Sequence, residues 1–277
     1  MAAFAAFNGP PHHGAHPSLP SCLRRFLGAL GILGGSLVGG VLPAHAGEVK
    51  VAVSSNFSAA IHAIQPDFEA ATGHHMRIST GSTGKLYAQI RNGAPFGVFL
   101  AADTRRPRKL EEAGEAAPGG RFTYARGRIA LWSPDPRQVD GPGTLAKGDF
   151  RHLSIANPET APYGLAAQQT LQALGHWEDL KGAIVRGENI GQAHQFVASH
   201  NAELGFVALS QISGPNRPGE GSRWLVPQSY YDPIRQQAVL LADAADEPAA
   251  RALVDYLRGP EAAEVIEAFG YAIPKGD

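Results

Sequence analysis

Four short polar segments carry the residue types that could bind a small anion. They are 54–56, 81–84, 157–164 and 188–191, and each follows an apolar run and precedes a segment with helical spacing. The first turn of a helix has N–H groups without intrahelical partners and a partial positive charge, so it can bind an anion without a cationic side chain. Serine and threonine hydroxyls add donors. The segments therefore predict an anion site, although each also suits a plain helix N-cap.

These donors converge only if the segments lie at one edge of a sheet, and the surrounding pattern predicts that arrangement. Apolar, β-rich runs alternate with segments of helical spacing. This order predicts an α/β fold with mostly parallel strands, which bind ligands at their carboxyl ends. The predicted strands are 49–55, 75–80, 98–103, 127–133, 152–158, 183–189, 204–212 and 235–243, and the predicted helices are 57–73, 84–93, 105–114, 163–175, 190–200 and 247–271.

The pattern occurs twice, which predicts two sheets joined by crossings near 129–134 and 229–235. We expect 47–130 with 231–277 to form a first lobe and 131–230 a second, with helices flanking each sheet and a ligand cleft between the lobes. Pro66 should kink the first helix or begin a second one. Gly73 should end it.

The first 46 residues are typical of a cleavable signal peptide. They contain no Asp or Glu, and Arg24 and Arg25 precede the apolar run FLGALGILGGSLVGGVL, which leads into PAHA. A basic start, an apolar centre and small residues at the end indicate export, with cleavage after Ala46. The apolar run is shorter than the ~20 residues of a membrane-spanning helix. We therefore expect a periplasmic protein.

The composition of the mature region argues against several functions. Without residues 1–46, the 277-residue chain keeps 231 residues, with 22 Lys and Arg against 25 Asp and Glu, and loses its only cysteine, Cys22. A mild negative charge does not suit nucleic acid binding. A chain without cysteine has no disulfide and no thiol chemistry. Because bulk charge does not attract an anion here, we expect local dipoles to hold it.

Longer motifs make the chain similar to a known family. They are AVSSNF, GSTGKLYAQIRNGAPFGVFLAAD, RFTYARGRIALWS, LSIANPETAPYGLAAQQTLQALG, ENIGQAHQFV and LRGPEAAEVIEAFGYAIP, and they cover nearly the whole mature region in that order. They resemble the periplasmic molybdate-binding proteins of ABC importers. The resemblance implies a two-lobed periplasmic binding protein of type II, which binds molybdate or tungstate between its lobes.

The resemblance also implies which residues bind the oxyanion. The family uses a hydroxyl and its amide from the second segment, where Ser82 and Thr83 are both candidates, and a backbone N–H at the position of Ile190. Tyr163 matches a tyrosine that contacts the anion in one branch of the family, whereas another branch has a tyrosine at the position of Ala208. We expect Tyr163 to replace that tyrosine. The implied molybdate-binding residues are Ser55, Asn56, Ser82, Thr83, Tyr163 and Ile190.

The same resemblance implies a transport protein rather than an enzyme, with no catalytic residue, no cofactor and no metal beyond the oxyanion. Its implied partners are the permease and ATPase subunits of an ABC importer that takes up molybdate. We expect a monomer that does not bind nucleic acid.

Other functions fit the residues less well. GSTGK is not a nucleotide-binding P-loop, because Ser79 stands at the first glycine position and Leu86 follows Lys85; we expect Lys85 to be a solvated helix residue. The G-x-S-x-G pentapeptide of many hydrolases is absent. A binding protein for another oxyanion, such as sulfate, stays open as an alternative, as does a periplasmic enzyme of unknown reaction.

Metal and phosphate sites are disfavoured for different reasons. The mature region has seven histidines without H-x-x-x-H spacing, which we expect at the surface: His62, His74, His75, His152, His176, His194 and His200. A site for protonated phosphate requires an acceptor carboxylate. The four polar segments offer only Glu159 and Glu188.

Overall fold

A computed structural model describes residues 46–215 and 220–274 of the chain. These residues belong to one compact unit, Ala44–Asp277. The predicted signal peptide lies outside the described residues, apart from Ala46. Within the described ranges, no helix is both long enough and apolar enough to cross a membrane.

Strands and helices alternate along most of the chain, as the sequence pattern predicts. The described strands are β1 (Glu48–Ser54), β2 (His75–Gly81), β3 (Val98–Ala101), β4 (Ala116–Gly127), β5 (Ile129–Ser133), β6 (Leu153–Ala156), β7 (Ile184–Gly187), β8 (Leu204–Ala208), β9 (Ser222–Leu225) and β10 (Ile234–Leu241). The described α-helices are α1 (Ser58–Thr72), α2 (Thr83–Arg91), α3 (Arg105–Glu112), α4 (Gly143–Lys147), α5 (Pro162–Ala173), α6 (Trp177–Leu180), α7 (Ile190–Ala198), α8 (Leu209–Ile212), α9 (Pro248–Arg258) and α10 (Pro260–Ala268). A 3-10 turn, Ser55–Phe57, follows β1.

The strands form two five-stranded sheets, in the orders β2-β1-β3-β10-β4 and β7-β6-β8-β5-β9. In the first sheet, β1 pairs in parallel with β2 and β3, whereas β10 pairs antiparallel with β3 and β4. In the second, β6 pairs in parallel with β7 and β8, whereas β5 pairs antiparallel with β8 and β9. Each sheet thus has four strands in one direction, and the strand that has just crossed from the other sheet runs against them.

The chain passes between the sheets twice, at Arg128 between β4 and β5 and again over 226–233 between β9 and β10. The fold is therefore α/β with two lobes, as the sequence predicts. The first lobe is built on the sheet of β1 to β4 and β10, and the second on the sheet of β5 to β9. The expected lobe limits, 47–130 with 231–277 and 131–230, stay a prediction.

Helix α1 is continuous from Ser58 to Thr72 although it contains Pro66, so no second helix begins there, and the expected kink stays a prediction. Pro66 lies on the exposed face of the helix, where water can bind the carbonyl that loses its helical donor. The opposite face buries Phe68. The predicted end is confirmed, because Gly73 adopts a left-handed conformation with a φ of 71°.

The sequence pattern failed where an element depends on a distant partner. Strand β4 was not predicted, because Pro118, Gly119 and Gly120 are typical of turns. It forms because it pairs along its length with β10. The predicted strand 204–212 ends at Ala208, where the chain enters α8, and β9, α4 and α6 were also not predicted.

Apolar side chains cover both faces of strand β1. Val51 and Val53 pack in one buried cluster with Phe68 of α1, while Ala52 belongs to a second cluster that contains Leu110 of α3. A strand buried on both faces is held rigidly. The polar residues that follow β1 therefore start from a fixed position.

We expect Phe68→Ala to lower the free energy of unfolding by about 3–5 kcal/mol, because it removes a fully buried ring from the first lobe. Urea unfolding followed by circular dichroism measures this loss. Leu165→Ala is the matched control, because Leu165 is exposed on α5 and should change the unfolding free energy by less than about 0.5 kcal/mol. Equal effects of the two variants would contradict the assignment of Phe68 to the core.

Candidate functional site

The four polar segments meet around one small cavity between the lobes. Each follows the carboxyl end of a strand, β1, β2, β6 or β7. The cavity has a volume of about 10 Å³, close to what one buried water molecule requires. Its lining residues are Ser54, Ser55, Asn56, Gly81, Ser82, Thr83, Ala102, Ala161, Pro162, Tyr163 and Ile190. The structure thus brings all six predicted residues together, and their role as ligands stays a prediction.

A pair of hydroxyls supplies donors from the first and second segments. Ser54 Oγ and Thr83 Oγ1 lie 2.8 Å apart, and both accept from the backbone N–H of Ala102, at 3.1 and 3.4 Å. One hydroxyl proton lies between the two oxygens, so the other remains available to a ligand in the cavity.

Ser82 has a structural role as well. Its Oγ accepts from the N–H of Lys85 at 3.4 Å and caps α2. The hydroxyl proton of Ser82 is not used in that bond. Both Ser82 and Thr83 therefore remain candidate donors.

The side chain of Asn56 is engaged in a buried network. Its Nδ2 donates to Gln236 Oε1 at 2.7 Å and to Tyr271 Oη at 3.0 Å. Both amide protons are thereby used within the protein. The donor that Asn56 can offer to the cavity is its backbone N–H, in the turn Ser55–Phe57.

The third segment is shaped by Asn157 and presents Tyr163. Asn157 Oδ1 accepts from the N–H of Glu159 at 3.0 Å. Pro162 then begins α5, so the N–H of Tyr163 lies in the first helical turn and has no intrahelical partner. The phenol oxygen of Tyr163 accepts from Gln236 Nε2 at 3.2 Å. Burial raises the pKa of Tyr163 well above its ordinary value, so the phenol remains a neutral donor.

The fourth segment ends in a capped helix. Asn189 Oδ1 accepts from the N–H of Gln192 at 3.0 Å and caps α7. Ile190 is the first residue of this helix, so its N–H also has no intrahelical partner. The neighbouring Gly191 N–H donates across the cleft to Ser55 Oγ at 3.4 Å. The fourth segment therefore contacts the first directly.

The lobes are in contact at the rim of the cavity through backbone groups. Gly84 N, in α2, donates to Thr160 O of the second lobe at 2.9 Å. Arg106 pairs with Asp103 and also donates its Nη2 to Glu159 O at 3.0 Å. The guanidinium thus joins the lobes without lining the cavity.

Lys85 is an exposed residue of α2, as we expected, but it also has a partner. It forms an ion pair with Glu188 of the second lobe, and both side chains are more than half exposed. Ion pairs this exposed contribute little to stability. The pair therefore adds only weakly to the contact between the lobes.

No ionised side chain lines the cavity within the described part of the chain. Glu159 is exposed and Glu188 is turned to Lys85. The described residues also contain no group of three or more side chains that could hold a metal ion. The prediction of surface histidines is wrong for His74, which is buried and whose Nδ1 accepts the N–H of Gly47 at 3.0 Å.

Sequence reasoning missed several residues that shape the site. Ala102 follows β3 at the same sheet edge as the polar segments, which was a usable signal, and Ser54 lies within the first segment. No local signal pointed to the partners of Asn56 and Tyr163, because they come from distant parts of the chain: Ser210, Gln236 and Tyr271. Tyr124, which bonds to Gln236, was missed for the same reason.

Comparisons with known proteins agree with this geometry. The chain matches the family model described as bacterial extracellular solute-binding protein over residues 49–272. It is 56% identical over 231 residues to the molybdate-binding protein ModA of Azotobacter vinelandii, covering 83% of this chain and 92% of that protein. It is 46% identical over 252 residues to the protein of the same name from Rhodobacter capsulatus, covering 91% of this chain and 97% of that protein. A solved periplasmic molybdate-binding protein of Azotobacter vinelandii superposes with a TM-score of 0.80 and 44% identity, covering 82% of this chain and all of that one.

With two lobes, two crossings and a donor-lined cavity between them, the chain is a bacterial extracellular solute-binding protein. Within that class it belongs to the ModA family of molybdate-binding proteins. The type II fold and the family that the motifs implied are thereby confirmed.

We expect Gly84→Ala to weaken oxyanion binding about 10-fold, a loss of ~1.4 kcal/mol. A Cβ at this position would lie 2.9 Å from Arg106 Nη2 and 3.1 Å from both Cα and O of Thr160, so the lobes could not close fully. Because alanine favours a helix by up to about 1 kcal/mol over glycine, the melting temperature should not fall. Calorimetric titration and thermal unfolding measure the two effects.

Gly182→Ala is the control for this prediction, because a Cβ there meets nothing within 4 Å. It should bind like the parent protein. Unchanged binding by Gly84→Ala would contradict the view that close approach of α2 to Thr160 is needed for a tight site.

Proposed function

We propose that this protein captures molybdate, and also tungstate, between its lobes and delivers it to an ABC importer. One observation carries the proposal. Neutral donors from four segments converge on a cavity that no ionised side chain lines among the described residues. The names of the relatives at 56% and 46% identity support molybdate as the ligand.

Neutral donors suit a fully deprotonated dianion. Hydrogen bonds to a charged group contribute about 1.5–3 kcal/mol each. Backbone N–H groups of Asn56, Thr83, Tyr163 and Ile190, with the hydroxyls of the site, can bind the oxygens of a tetrahedral anion. A protonated anion would bury an O–H opposite donors only, so such anions are disfavoured. Sulfate has the same charge and shape as molybdate, so the size of the closed cavity must separate them.

Binding requires the lobes to move. Residues of both lobes line the cavity, so the lobes separate to admit the ligand and close around it. The crossings at Arg128 and 226–233 are where the chain can bend. The ligand stabilises the closed state because only that state offers donors from both lobes.

We infer that the protein acts in the periplasm as a monomer, with permease and ATPase subunits of a molybdate importer as partners. The predicted signal peptide and the periplasmic relative support this location. The cavity supports a transport role rather than an enzymatic one. Its hydroxyls have no neighbouring histidine or carboxylate among the described lining residues to activate them. The proposed function requires no cofactor.

We expect residues 47–277 to bind molybdate and tungstate tightly in calorimetric titrations, and sulfate and phosphate at least about 100-fold more weakly, a difference of ~2.7 kcal/mol. Tyr163→Phe removes one donor and should weaken molybdate binding about 10-fold. Tyr256→Phe, on α9 and outside the cavity lining, should bind like the parent. If the protein binds sulfate but not molybdate, the cavity is still an oxyanion site, but the proposed ligand is wrong.

The affinity for molybdate should be constant from about pH 6 to about pH 9, because Tyr163 is the only titratable group in the described cavity lining. Burial raises the pKa of this phenol well above its ordinary value. Its deprotonation, which removes a donor and adds a repelling charge, should weaken binding only at higher pH. Dissociation constants across this range test the point, and a transition near pH 7 would contradict it.

A further inference from the structure

A buried hydrogen-bond network connects the cavity to the crossing strand β10. Its members are all buried and come from both lobes: Asn56, Tyr124, Tyr163, Ser210, Gln236 and Tyr271. Only Asn56 and Tyr163 among them line the cavity. Any effect of the other members on a ligand therefore passes through these two residues.

The direction of the protons in this network follows from a backbone carbonyl, which can only accept. Asn56 O accepts from Tyr271 Oη at 2.7 Å and from Ser210 Oγ at 2.9 Å. Tyr271 Oη also lies 2.9 Å from Ser210 Oγ. Because the single proton of Tyr271 is donated either to this carbonyl or to Ser210, its oxygen is left to accept from Asn56 Nδ2 at 3.0 Å. The Asn56 amide is thereby held with its NH2 group toward Tyr271 and Gln236.

The Asn56 amide in turn fixes Gln236. Asn56 Nδ2 donates to Gln236 Oε1 at 2.7 Å, and Tyr124 Oη donates to the same oxygen at 3.1 Å. With its oxygen engaged by two donors, Gln236 directs its Nε2 to Tyr163 Oη, 3.2 Å away. The Tyr163 oxygen accepts that bond, so the Tyr163 proton must be donated elsewhere.

The backbone is shaped to let Gln236 and Tyr163 meet. The pairing of β4 with β10 shifts between Gln236 and Gln237, which leaves Tyr124 as an extra residue in β4. Such bulges redirect side chains next to functional sites. A Cβ on Gly127 would lie 2.0 Å from Tyr163 Oη and 2.8 Å from Gln236 Nε2. The bulge places Tyr124 beside Gln236, and the glycine leaves the space that the two side chains occupy.

We propose that Gln236 is a positioning residue that makes the Tyr163 phenol a donor to the bound oxyanion. This inference rests on the proposed function of the cavity. A deprotonated oxyanion accepts hydrogen bonds, whereas a protonated one must also donate. By holding Tyr163 as a donor, Gln236 favours deprotonated anions although it does not line the cavity.

A double-mutant cycle tests the coupling. Gln236→Met removes the amide with little change in length, and we expect about 10-fold weaker molybdate binding, like Tyr163→Phe. The double variant should also bind about 10-fold, not about 100-fold, more weakly than the parent, because both changes remove the same donor. A double variant that binds about 100-fold more weakly than the parent would overturn the proposal. Parent-like binding by Gln236→Met would overturn it as well.

Gln237→Met is the matched control on the neighbouring position of β10. Gln237 is also buried, but its partners are Thr123 and Arg121 rather than cavity residues. It should bind molybdate like the parent protein. If both glutamine variants weaken binding equally, the effect comes from general damage to β10 and the specific role of Gln236 is wrong.

Gln236→Glu supplies a readout that a purely structural role would not change. The new carboxylate can only accept, so the Tyr163 proton turns to it and the phenol oxygen faces the cavity as an acceptor. At about pH 8, sulfate and hydrogen phosphate are both dianions, so the added charge repels them alike. We expect the affinity ratio of hydrogen phosphate to sulfate to rise about 10-fold relative to the parent.

An unchanged ratio in a folded Gln236→Glu protein would overturn the proposal. Should this variant not fold, the cycle with Gln236→Met decides the matter. Failure of the proposed function is distinguishable, because the parent protein would then bind neither molybdate nor tungstate. A parent that binds them, with a Gln236→Met variant that binds equally well, refutes only the role of Gln236.

Discussion

Neutral groups can hold a doubly charged anion only if many donors are aimed at one point before it arrives. Flexible hydroxyls and amides would lose conformational freedom on binding, and no cationic side chain lines the described cavity to compensate. Helix starts at strand ends solve this problem, because their N–H groups are directed by buried sheets. The rest of the architecture follows from the need to bring such starts from two sheets to one place.

The two crossings give each sheet an antiparallel strand beside parallel ones. This arrangement lets both sheets point the carboxyl ends of their parallel strands toward the same cleft. Contact between the lobes then relies on backbone groups, such as Gly84 N to Thr160 O, more than on the exposed pair of Lys85 and Glu188. Backbone contacts of this kind require close approach, which accounts for a glycine at position 84.

In our proposal, the residues that line the cavity contact the ligand, whereas the buried network behind them orients the hydroxyl of Tyr163. Its members saturate one another, as buried polar groups must, and a saturated network has a defined proton direction. A backbone carbonyl at one end sets that direction, and Tyr163 stands at the other. The burial that raises the pKa of Tyr163 also keeps the phenol protonated. Selectivity for deprotonated anions can thus originate outside the shell of groups that touch the ligand.

The sequence by itself determined the alternation of strands and helices, the α/β class, the four polar segments and the family. These are local properties: Ile61, Ile64 and Phe68 share a helix face, and Gly73 ends that helix whatever surrounds it. The resemblance also named the six candidate residues, each near a strand end, and all six line one cavity, while their role as ligands stays a prediction. The continuity of α1 through Pro66 could not be predicted, since it depends on which face meets solvent.

Only the tertiary structure decided what the side chains do. Asn56 reads as a ligand in its motif, yet its amide is committed to Gln236 and Tyr271, which lie far along the chain. The sequence of β4 is typical of turns, yet the segment is a strand because it pairs with β10. The bulge in this pairing places Tyr124 beside Gln236. The free energy that stabilises these arrangements comes from long-range strand pairing and burial. Both act between residues that no local sequence pattern connects.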